Sequence, residues 1–209
     1  SQRYFHAIHD PNAFHIHPLN TLRAIATEVE RLGGVIHDSS PVIDADFTGA
    51  TKRVNTPQGH ASAPRIVFAT GGYTGPLIPR LHRAVLPIAT YMMITEPAPE
   101  LIATAIKTRA CMYDDRRAGD YYRLVEGGAR LLWGGRITTR AADPAGIARE
   151  LRREMLTAYP QLADLRTELS WSGLMGYARH LMPQIGQVEP DLHLGIDLGH
   201  LSSDPGQVG

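Results

Sequence analysis

A tyrosine and an arginine with strand-like spacing are the first residues in this sequence that could bind a substrate. In the segment 120–123 (D-Y-Y-R), an extended backbone would direct Tyr121 and Arg123 to one face and Tyr122 to the other. A guanidinium binds a carboxylate through two parallel hydrogen bonds, and a tyrosine beside it can close a pocket. The pattern indicates a site for an anionic group, and a surface pair on an edge hairpin is the alternative interpretation.

The segment 65–75 (R-I-V-F-A-T-G-G-Y-T-G) joins an apolar run to a pair of glycines. The unbroken run at 66–69 is typical of a strand that is covered on both faces. Gly71 and Gly72 then remove side-chain bulk, so another surface can approach the backbone, or φ can be positive. Because cofactors bind at this end of strands in open α/β sheets, the segment predicts a cofactor site, with a tight turn as the alternative.

The other reactive side chains form no recognised catalytic pattern. Four histidines crowd the first seventeen residues, at His6, His9, His15 and His17. They suggest a metal-binding module as one alternative, but no carboxylate or thiolate stands beside them at a recognised spacing. We expect exposed or hydrogen-bonded rings. Cys111 has no nearby histidine to activate it, so we expect a buried structural thiol.

Periodicity and turn residues predict the elements that would position these groups. Apolar residues at helical spacing, with Pro18 before them and Gly33 after them, predict a helix over 18–32. Asp143 followed by Pro144 predicts the start of a second helix. Strand patterns separated by turn residues cover 35–37, 42–45, 52–56, 60–63, 65–70, 84–95, 120–125, 129–133, 168–177 and 192–197.

The order of these elements predicts an α/β part followed by an α+β part. Helix, strand, hairpin and strand over the first 78 residues fit an α/β arrangement with an antiparallel insertion. A mostly antiparallel sheet with a helix across it fits residues 80–190, even though Pro87 interrupts one strand. We place the boundary between the two parts near residues 75–79.

Composition excludes several kinds of partner for this chain of 209 residues. Its formal net charge is zero and its apolar content is 43%, so neither nucleic acid nor an anionic membrane is expected as the main partner. No apolar run approaches the ~18 residues of a membrane span. The single cysteine excludes an intrachain disulfide, and we expect a cytoplasmic location.

Taken in order, the segments resemble the flavin-dependent oxidoreductases of the D-amino-acid oxidase family, and within it the gamma-glutamylputrescine oxidoreductase type. The similarity covers about residues 12–200, and it depends on the order of the motifs more than on any one of them. The matching segments are H-I-H-P-L-N at 15–20, G-G at 33–34, P-V-I at 41–43, F-A-T-G-G-Y at 68–73, D-Y-Y-R-L at 120–124, R-L-L-W-G-G at 130–135, Y-P-Q-L at 159–162, W-S-G at 171–173, M-P-Q-I-G at 182–186 and G-H at 199–200.

The resemblance implies a two-domain flavoprotein that oxidises the C–N bond of a small amine or amino acid. Hydride would pass to the flavin of FAD, and the imine would then be hydrolysed. Residues 1–78, joined by 179–209, would form part of the Rossmann-like FAD-binding domain, and residues 79–178 the antiparallel substrate domain. The resemblance places Val42, Ala69, Thr70, Gly71, Gly199 and His200 at the cofactor, and Tyr122, Arg123 and Trp171 on the substrate side.

Two departures from the family pattern lead to a second hypothesis. The G-x-G-x-x-G fingerprint that binds the pyrophosphate is absent, and Leu201 stands where the late Gly-His-Gly turn needs glycine. We therefore expect a chain truncated at both ends, which as an isolated fragment would be non-catalytic and would not bind FAD. Strand edges and apolar faces left without their neighbours also predict self-association.

Overall fold

The computed structural model describes residues 1, 3–116, 118–139, 142–180, 182–189 and 192–196. The chain divides into two compact units. The smaller unit is Ala7–Ile66, and the larger unit combines Ser1–His6 with the described residues from Val67 onward. The predicted boundary near residues 75–79 separates a cofactor domain from a substrate domain. The division into two compact units does not test it, so it stays a prediction.

The smaller unit contains one helix and a three-stranded antiparallel sheet. The predicted helix is confirmed as α1, with Pro18 in its first turn and Nδ1 of His17 accepting a hydrogen bond from the backbone N–H of Asn20 at 3.3 Å. The predicted hairpin is also confirmed, but residues 35–37 form no strand, because they join no ladder of the sheet. The elements are α1 (Pro18–Arg31), β1 (Asp44–Asp46), β2 (Lys52–Thr56) and β3 (Gly59–Ala63), with the strand order β1-β2-β3.

Many apolar side chains of the smaller unit are exposed, and the others are only partly buried. Within residues 7–66, all of which the structure describes, Lys52 is the one buried residue, and its Nζ donates a hydrogen bond to the carbonyl oxygen of Gly49 at 2.6 Å. One face of α1 is lined by exposed apolar residues: Leu19, Leu22, Ile25 and Val29. This unit therefore has an amphipathic helix without a hydrophobic core of its own.

The larger unit is built on a five-stranded antiparallel sheet with the strand order β6-β7-β8-β5-β9, and a second sheet has the order β10-β11-β4. The long predicted strand is confirmed as β5, which continues through Pro87. The elements are β4 (Ile66–Phe68), α2 (Pro79–Ala84), β5 (Val85–Thr95), α3 (Pro99–Ala105), β6 (Met112–Tyr113), β7 (Tyr121–Val125), β8 (Arg130–Thr138), α4 (Pro144–Ala158), β9 (Thr167–Ala178), β10 (Gln184–Glu189) and β11 (Leu192–Ile196).

One face of the five-stranded sheet packs against α3 and α4 to form the core. Trp133 and Leu151 are fully buried there, and the ring of Tyr122 stacks on Trp133 with centroids 4.0 Å apart. The predicted cap of α4 is confirmed, because the Asp143 carboxylate accepts hydrogen bonds from the backbone N–H groups of Ala145 and Gly146. The core therefore belongs to the larger unit.

Strand β4 departs from its predicted environment. The apolar run predicts a strand covered on both faces, but the Val67 side chain is 66% exposed, whereas Phe68 is buried. The alternation of a strand places these two neighbours on opposite faces, so one face of β4 lacks a covering layer in the described part of the chain. No helix among the described residues is long and apolar enough to cross a membrane, and the cytoplasmic location stays a prediction.

We predict that the Asp143 cap contributes measurably to the stability of the larger unit. Asp143→Ala removes the acceptor for two backbone N–H groups and should lower the free energy of unfolding by about 1 kcal/mol. Asp143→Asn keeps an oxygen acceptor and serves as the matched control. Urea denaturation measures the difference, and equal stability of the two variants would contradict the prediction.

Candidate functional site

The face of the five-stranded sheet opposite the helices carries the first group of candidate residues. We call it the open face and define it by Thr90, Met92, Tyr121, Arg123, Gly134 and Trp171. Strand register supports the assignment, because Met92 pairs with both Gly134 and Trp171, and Tyr121 pairs with Gly134. Residues that pair directly across an antiparallel ladder project to the same face.

Tyr121 lies across the middle of the open face. A Cβ atom at Gly134 would overlap the Tyr121 ring and the Sδ atom of Met92, so the ring occupies the space that this glycine leaves. The phenol oxygen reaches β5, where it lies 3.0 Å from Oγ1 of Thr90. Burial raises the pKa of Tyr121 above its ordinary value, so the phenol is protonated at neutral pH and can donate a hydrogen bond.

Arg123 and Trp171 share the face of the sheet on which this tyrosine lies. Arg123 is half-buried and follows Tyr121 by two residues on β7, whereas Trp171 lies on the edge strand β9 with 44% of its side chain exposed. The strand residues whose alternation places them on the open face include no aspartate or glutamate. The open face therefore combines a cation with aromatic and apolar side chains.

Tyr122 lies on the other side of the sheet from Arg123 and Trp171. It is 4% exposed, and its hydroxyl is hydrogen-bonded to that of Tyr159 at 2.9 Å in the core. Its pKa is raised, chiefly by burial. The sequence-based grouping of Tyr122 with Arg123 and Trp171 is therefore corrected. Tyr121 is the tyrosine that shares their face, as the alternation of the D-Y-Y-R segment already indicates.

A buried carboxylate anchors the start of β7, immediately before Tyr121. Asp120 is 3% exposed, and it accepts a hydrogen bond from Nε1 of Trp133 at 3.3 Å. Its other carboxylate oxygen lies 2.7 Å from Arg116 and 3.4 Å from Arg3. Burial raises the pKa of Asp120, while Trp133 and the two guanidinium groups act in the opposite direction. This network is one that sequence spacing does not predict, because Arg3 is distant in the chain.

The second group of candidate residues follows β4. Ala69 and Thr70 are exposed, and the 3₁₀ turn Gly71–Tyr73 begins directly after them. Gly71 has a φ of +52°, and a Cβ atom there would meet no atom within 4 Å. This part of the main chain is open on one side.

At Gly72, in contrast to Gly71, close packing leaves no room for a side chain. A Cβ atom at this position would lie 2.9 Å from the backbone carbonyl carbon of Leu174, and Gly176 allows the same close approach from the other side. A cleft of about 250 Å³ adjoins this contact, and it is lined by Gly71, Gly72, Tyr73, Thr74, Gly75, His82, Val85, Pro87 and Leu174.

The remaining predicted site residues lie in the smaller unit or outside the described residues, and their assignment to the cofactor stays a prediction. Val42 is 40% exposed and belongs to the smaller unit, and Gly199 and His200 lie outside the described residues.

The prediction of a buried Cys111 is wrong, because the thiol is free and exposed. The described residues contain no group of three or more His, Cys, Asp or Glu side chains that could hold a metal ion.

We predict that the two neighbouring glycines respond differently to substitution. Gly72→Ala places a methyl group against the backbone of β9 and should lower the free energy of unfolding by about 2–3 kcal/mol, as overpacking does. Gly71→Ala adds only the cost of a positive φ, about 1 kcal/mol. Thermal and urea unfolding of both variants test this, and a larger loss for Gly71→Ala would contradict it.

Comparison with known protein families gives a match over nearly the whole chain. A model of the family described as "DAO: FAD dependent oxidoreductase" matches residues 1–203. Gamma-glutamylputrescine oxidoreductase of Escherichia coli (strain K12) is 30% identical over 195 residues, which cover 92% of this chain and 45% of that protein. Glycine oxidase of Bacillus subtilis (strain 168) is 23% identical over 188 residues, or 89% of this chain and 49% of that protein. The chain thus spans about half the length of the curated relatives it matches.

Solved structures with the same fold confirm the predicted fold class. Glycine oxidase from Geobacillus kaustophilus superposes with a TM-score of 0.68 at 21% identity, covering 83% of this chain and 46% of that one. Fructosyl amine:oxygen oxidoreductase (Amadoriase I) from Aspergillus fumigatus superposes with a TM-score of 0.71 at 14% identity, covering 87% of this chain and 46% of that one.

Proposed function

Since this chain belongs to the DAO family of FAD-dependent oxidoreductases, we propose that it supplies the substrate-binding sheet and part of the cofactor-binding side of an enzyme that oxidises a C–N bond. The substrate is a small amine or amino acid. The observation that carries the proposal is the open face, where Tyr121, Arg123 and Trp171 share the side of the antiparallel sheet opposite α3 and α4. The names of the relatives support the same class of reaction.

The charge of the open face favours a substrate that carries a carboxylate. Arg123 binds this group through charge-assisted hydrogen bonds, with the Tyr121 hydroxyl as a further donor. Trp171 provides an apolar wall for the carbon chain. A guanidinium near the substrate nitrogen disfavours the protonated form of the amine, and the neutral amine is the form that can be oxidised.

The cofactor side fits the main chain that follows β4. FAD, when bound, supplies the acceptor for the electrons that leave the substrate. Ala69, Thr70 and Gly71 would hold it through exposed main chain, because Gly71 has no side chain and open space beside it. Val42 is proposed as a further contact. Ala69, Thr70 and Gly71 have small side chains and an exposed main chain, which suit a ligand that lies against the backbone. They therefore fit FAD.

The test of this proposal uses the chain within a complete protein, either from its own gene or in place of the matching half of a relative. The wild-type protein should contain bound flavin and oxidise an amino acid or a related amine. Arg123→Met should raise KM for a carboxylate-bearing substrate about tenfold or more, because a charge-assisted hydrogen bond contributes roughly 1.5–3 kcal/mol. Arg123→Lys, which keeps the charge, should give an intermediate KM.

Tyr122→Phe provides the matched control for these kinetics. It removes a hydroxyl from the core, and it should lower the free energy of unfolding by about 1 kcal/mol without changing KM. A complete protein that is colourless and inactive would contradict the proposed function. A changed KM in Tyr122→Phe would restore the sequence-based assignment of that residue to the substrate.

The second hypothesis is that the chain alone is non-catalytic and does not bind FAD. The absence of the G-x-G-x-x-G fingerprint from its sequence favours this hypothesis. Without backbone N–H groups at a helix N-terminus to bind the pyrophosphate, the 209-residue chain alone should bind FAD weakly or not at all. Titration of FAD against the purified chain, followed by flavin fluorescence, measures this. Tight stoichiometric binding would contradict the prediction.

The exposed apolar face of α1 supports the proposal that the chain alone self-associates. Replacing Leu22 and Ile25 together by Glu should abolish concentration-dependent assembly in sedimentation velocity experiments, because both side chains are exposed on one helix face. Ala24→Glu, on the opposite face of α1, is the matched control and should leave assembly unchanged. A monodisperse monomer of the unmodified chain at every concentration would overturn this prediction.

A further inference from the structure

We propose that Arg3 is a positioning residue for β7, and that together with Tyr4 it forms a strap that holds the loop before this strand against α4. Both residues of the strap belong to the larger unit, and neither lies in the motif series. The holding of the loop does not depend on the proposed function. Its effect on substrate binding rests on that function, because β7 is a strand of the sheet to which the substrate is assigned.

The guanidinium of Arg3 connects two elements that are distant in the sequence. Its Nη2 atom donates a hydrogen bond to Oε2 of Glu154 on α4 at 2.7 Å, and Nη1 donates to the backbone carbonyl oxygen of the same residue at 3.2 Å. Nη1 also lies 3.4 Å from Oδ2 of Asp120, immediately before β7. A planar guanidinium has five N–H donors in a fixed arrangement, so it can bind both carboxylates at once.

The burial of these groups distinguishes the contact from a surface ion pair. The side chain of Asp120 is 3% exposed and that of Arg3 is 17% exposed, and a buried charge that loses a partner is costly. Arg116 also contacts Asp120, at 2.7 Å, and reaches Glu154 at 3.6 Å. Arg116 is half-exposed, however, and it lies in the same loop as Asp120, so it moves when the loop opens. Arg3 holds the loop from outside.

Tyr4 anchors the strap in the core. Its side chain is half-buried and packs against the core of the larger unit. The Arg3 guanidinium lies 5.9 Å from the centroid of the Tyr4 ring, within the range of a cation–π interaction. The ring therefore limits the positions that the guanidinium can take, and less side-chain entropy is lost when the ion pairs form.

The loop that the strap holds joins β6 to β7. We call it the β6–β7 loop and define it by its described residues, 114–116 and 118–120. Its two ends are bonded to each other. The backbone N–H of Asp114 donates to the carbonyl oxygen of Asp120 at 3.0 Å, and the backbone N–H of Asp120 donates to Oδ2 of Asp114 at 3.2 Å. A displacement of Asp120 would therefore shift the end of β6 and the start of β7 together.

Hydrogen exchange in the complete protein tests the strap. Arg3→Met removes every donor and keeps a long side chain, and Arg153→Met makes the same change at an exposed position of α4. Arg3→Met should raise the exchange rate of the β6–β7 loop about tenfold or more, as expected when a charge-assisted hydrogen bond is lost, and leave the amides between β5 and β9 within about twofold of wild type. Arg153→Met should change neither. Equal loop exchange in Arg3→Met and wild type would overturn the strap, and so would a uniform rise across the sheet.

A double variant tests whether Arg3 acts through Asp120. Asp120→Asn keeps an oxygen acceptor for Trp133 and removes the charge that Arg3 contacts. Adding Arg3→Met to Asp120→Asn should raise loop exchange by less than about threefold, because the effects of two residues in one ion-pair network are not additive. The full effect of Arg3→Met in this background would overturn the inference.

Enzyme kinetics test the positioning role. In an active complete protein, Arg3→Met should raise KM about threefold or more and leave kcat within about twofold, since a small displacement of the groups that contact a substrate weakens its binding. Arg3→Lys, which keeps the charge, should give an intermediate KM, and Arg153→Met should keep the wild-type value. Equal KM values in Arg3→Met and Arg153→Met would overturn the positioning role. An inactive, flavin-free wild type would overturn the proposed function, and hydrogen exchange would still decide the strap.

Discussion

The burial of one face of the five-stranded sheet is the constraint on which the candidate site depends. Tyr122 and Trp133 stack within the core, and the period of two in a strand then directs Tyr121 and Gly134 to the opposite face. A slip of one residue would exchange the two sets of side chains. Asp120 accepts a hydrogen bond from Trp133 and forms an ion pair with Arg116. These two interactions oppose such a slip, because they connect the start of β7 to β8 and to the preceding loop.

The elements of the larger unit could be predicted from sequence where a local pattern was strong. The Asp143-Pro144 start of α4 and the turn between β7 and β8 have capping and turn residues that act over a few positions, and the structure has them at nearly the predicted residues. Helices α2 and α3 are too short to show a helical period. The environment of β4 was predicted incorrectly, because an apolar run shows that a strand prefers burial and does not show that a covering layer is present.

The candidate site was predictable in kind but not in detail. Alternation indicates that Tyr121 and Arg123 share a face, yet the family resemblance points to Tyr122, whose burial depends on contacts with the distant Tyr159. Sequence also treats Gly71 and Gly72 alike, while the structure separates an open main chain from a close contact with β9. Tyr159 lies 37 positions from Tyr122, and Leu174 lies about a hundred positions from Gly72, so no local pattern contains these differences.

The exposed thiol of Cys111 makes the region around Arg123 accessible to selective chemistry. It is the only cysteine of the sequence, and its electrostatic environment includes the Arg123 guanidinium. Its pKa lies above the ordinary value, chiefly through desolvation, and because the thiolate is the reactive form, alkylation becomes faster as the pH is raised. A single fluorescent or spin label could thus be attached next to β6 without mutagenesis.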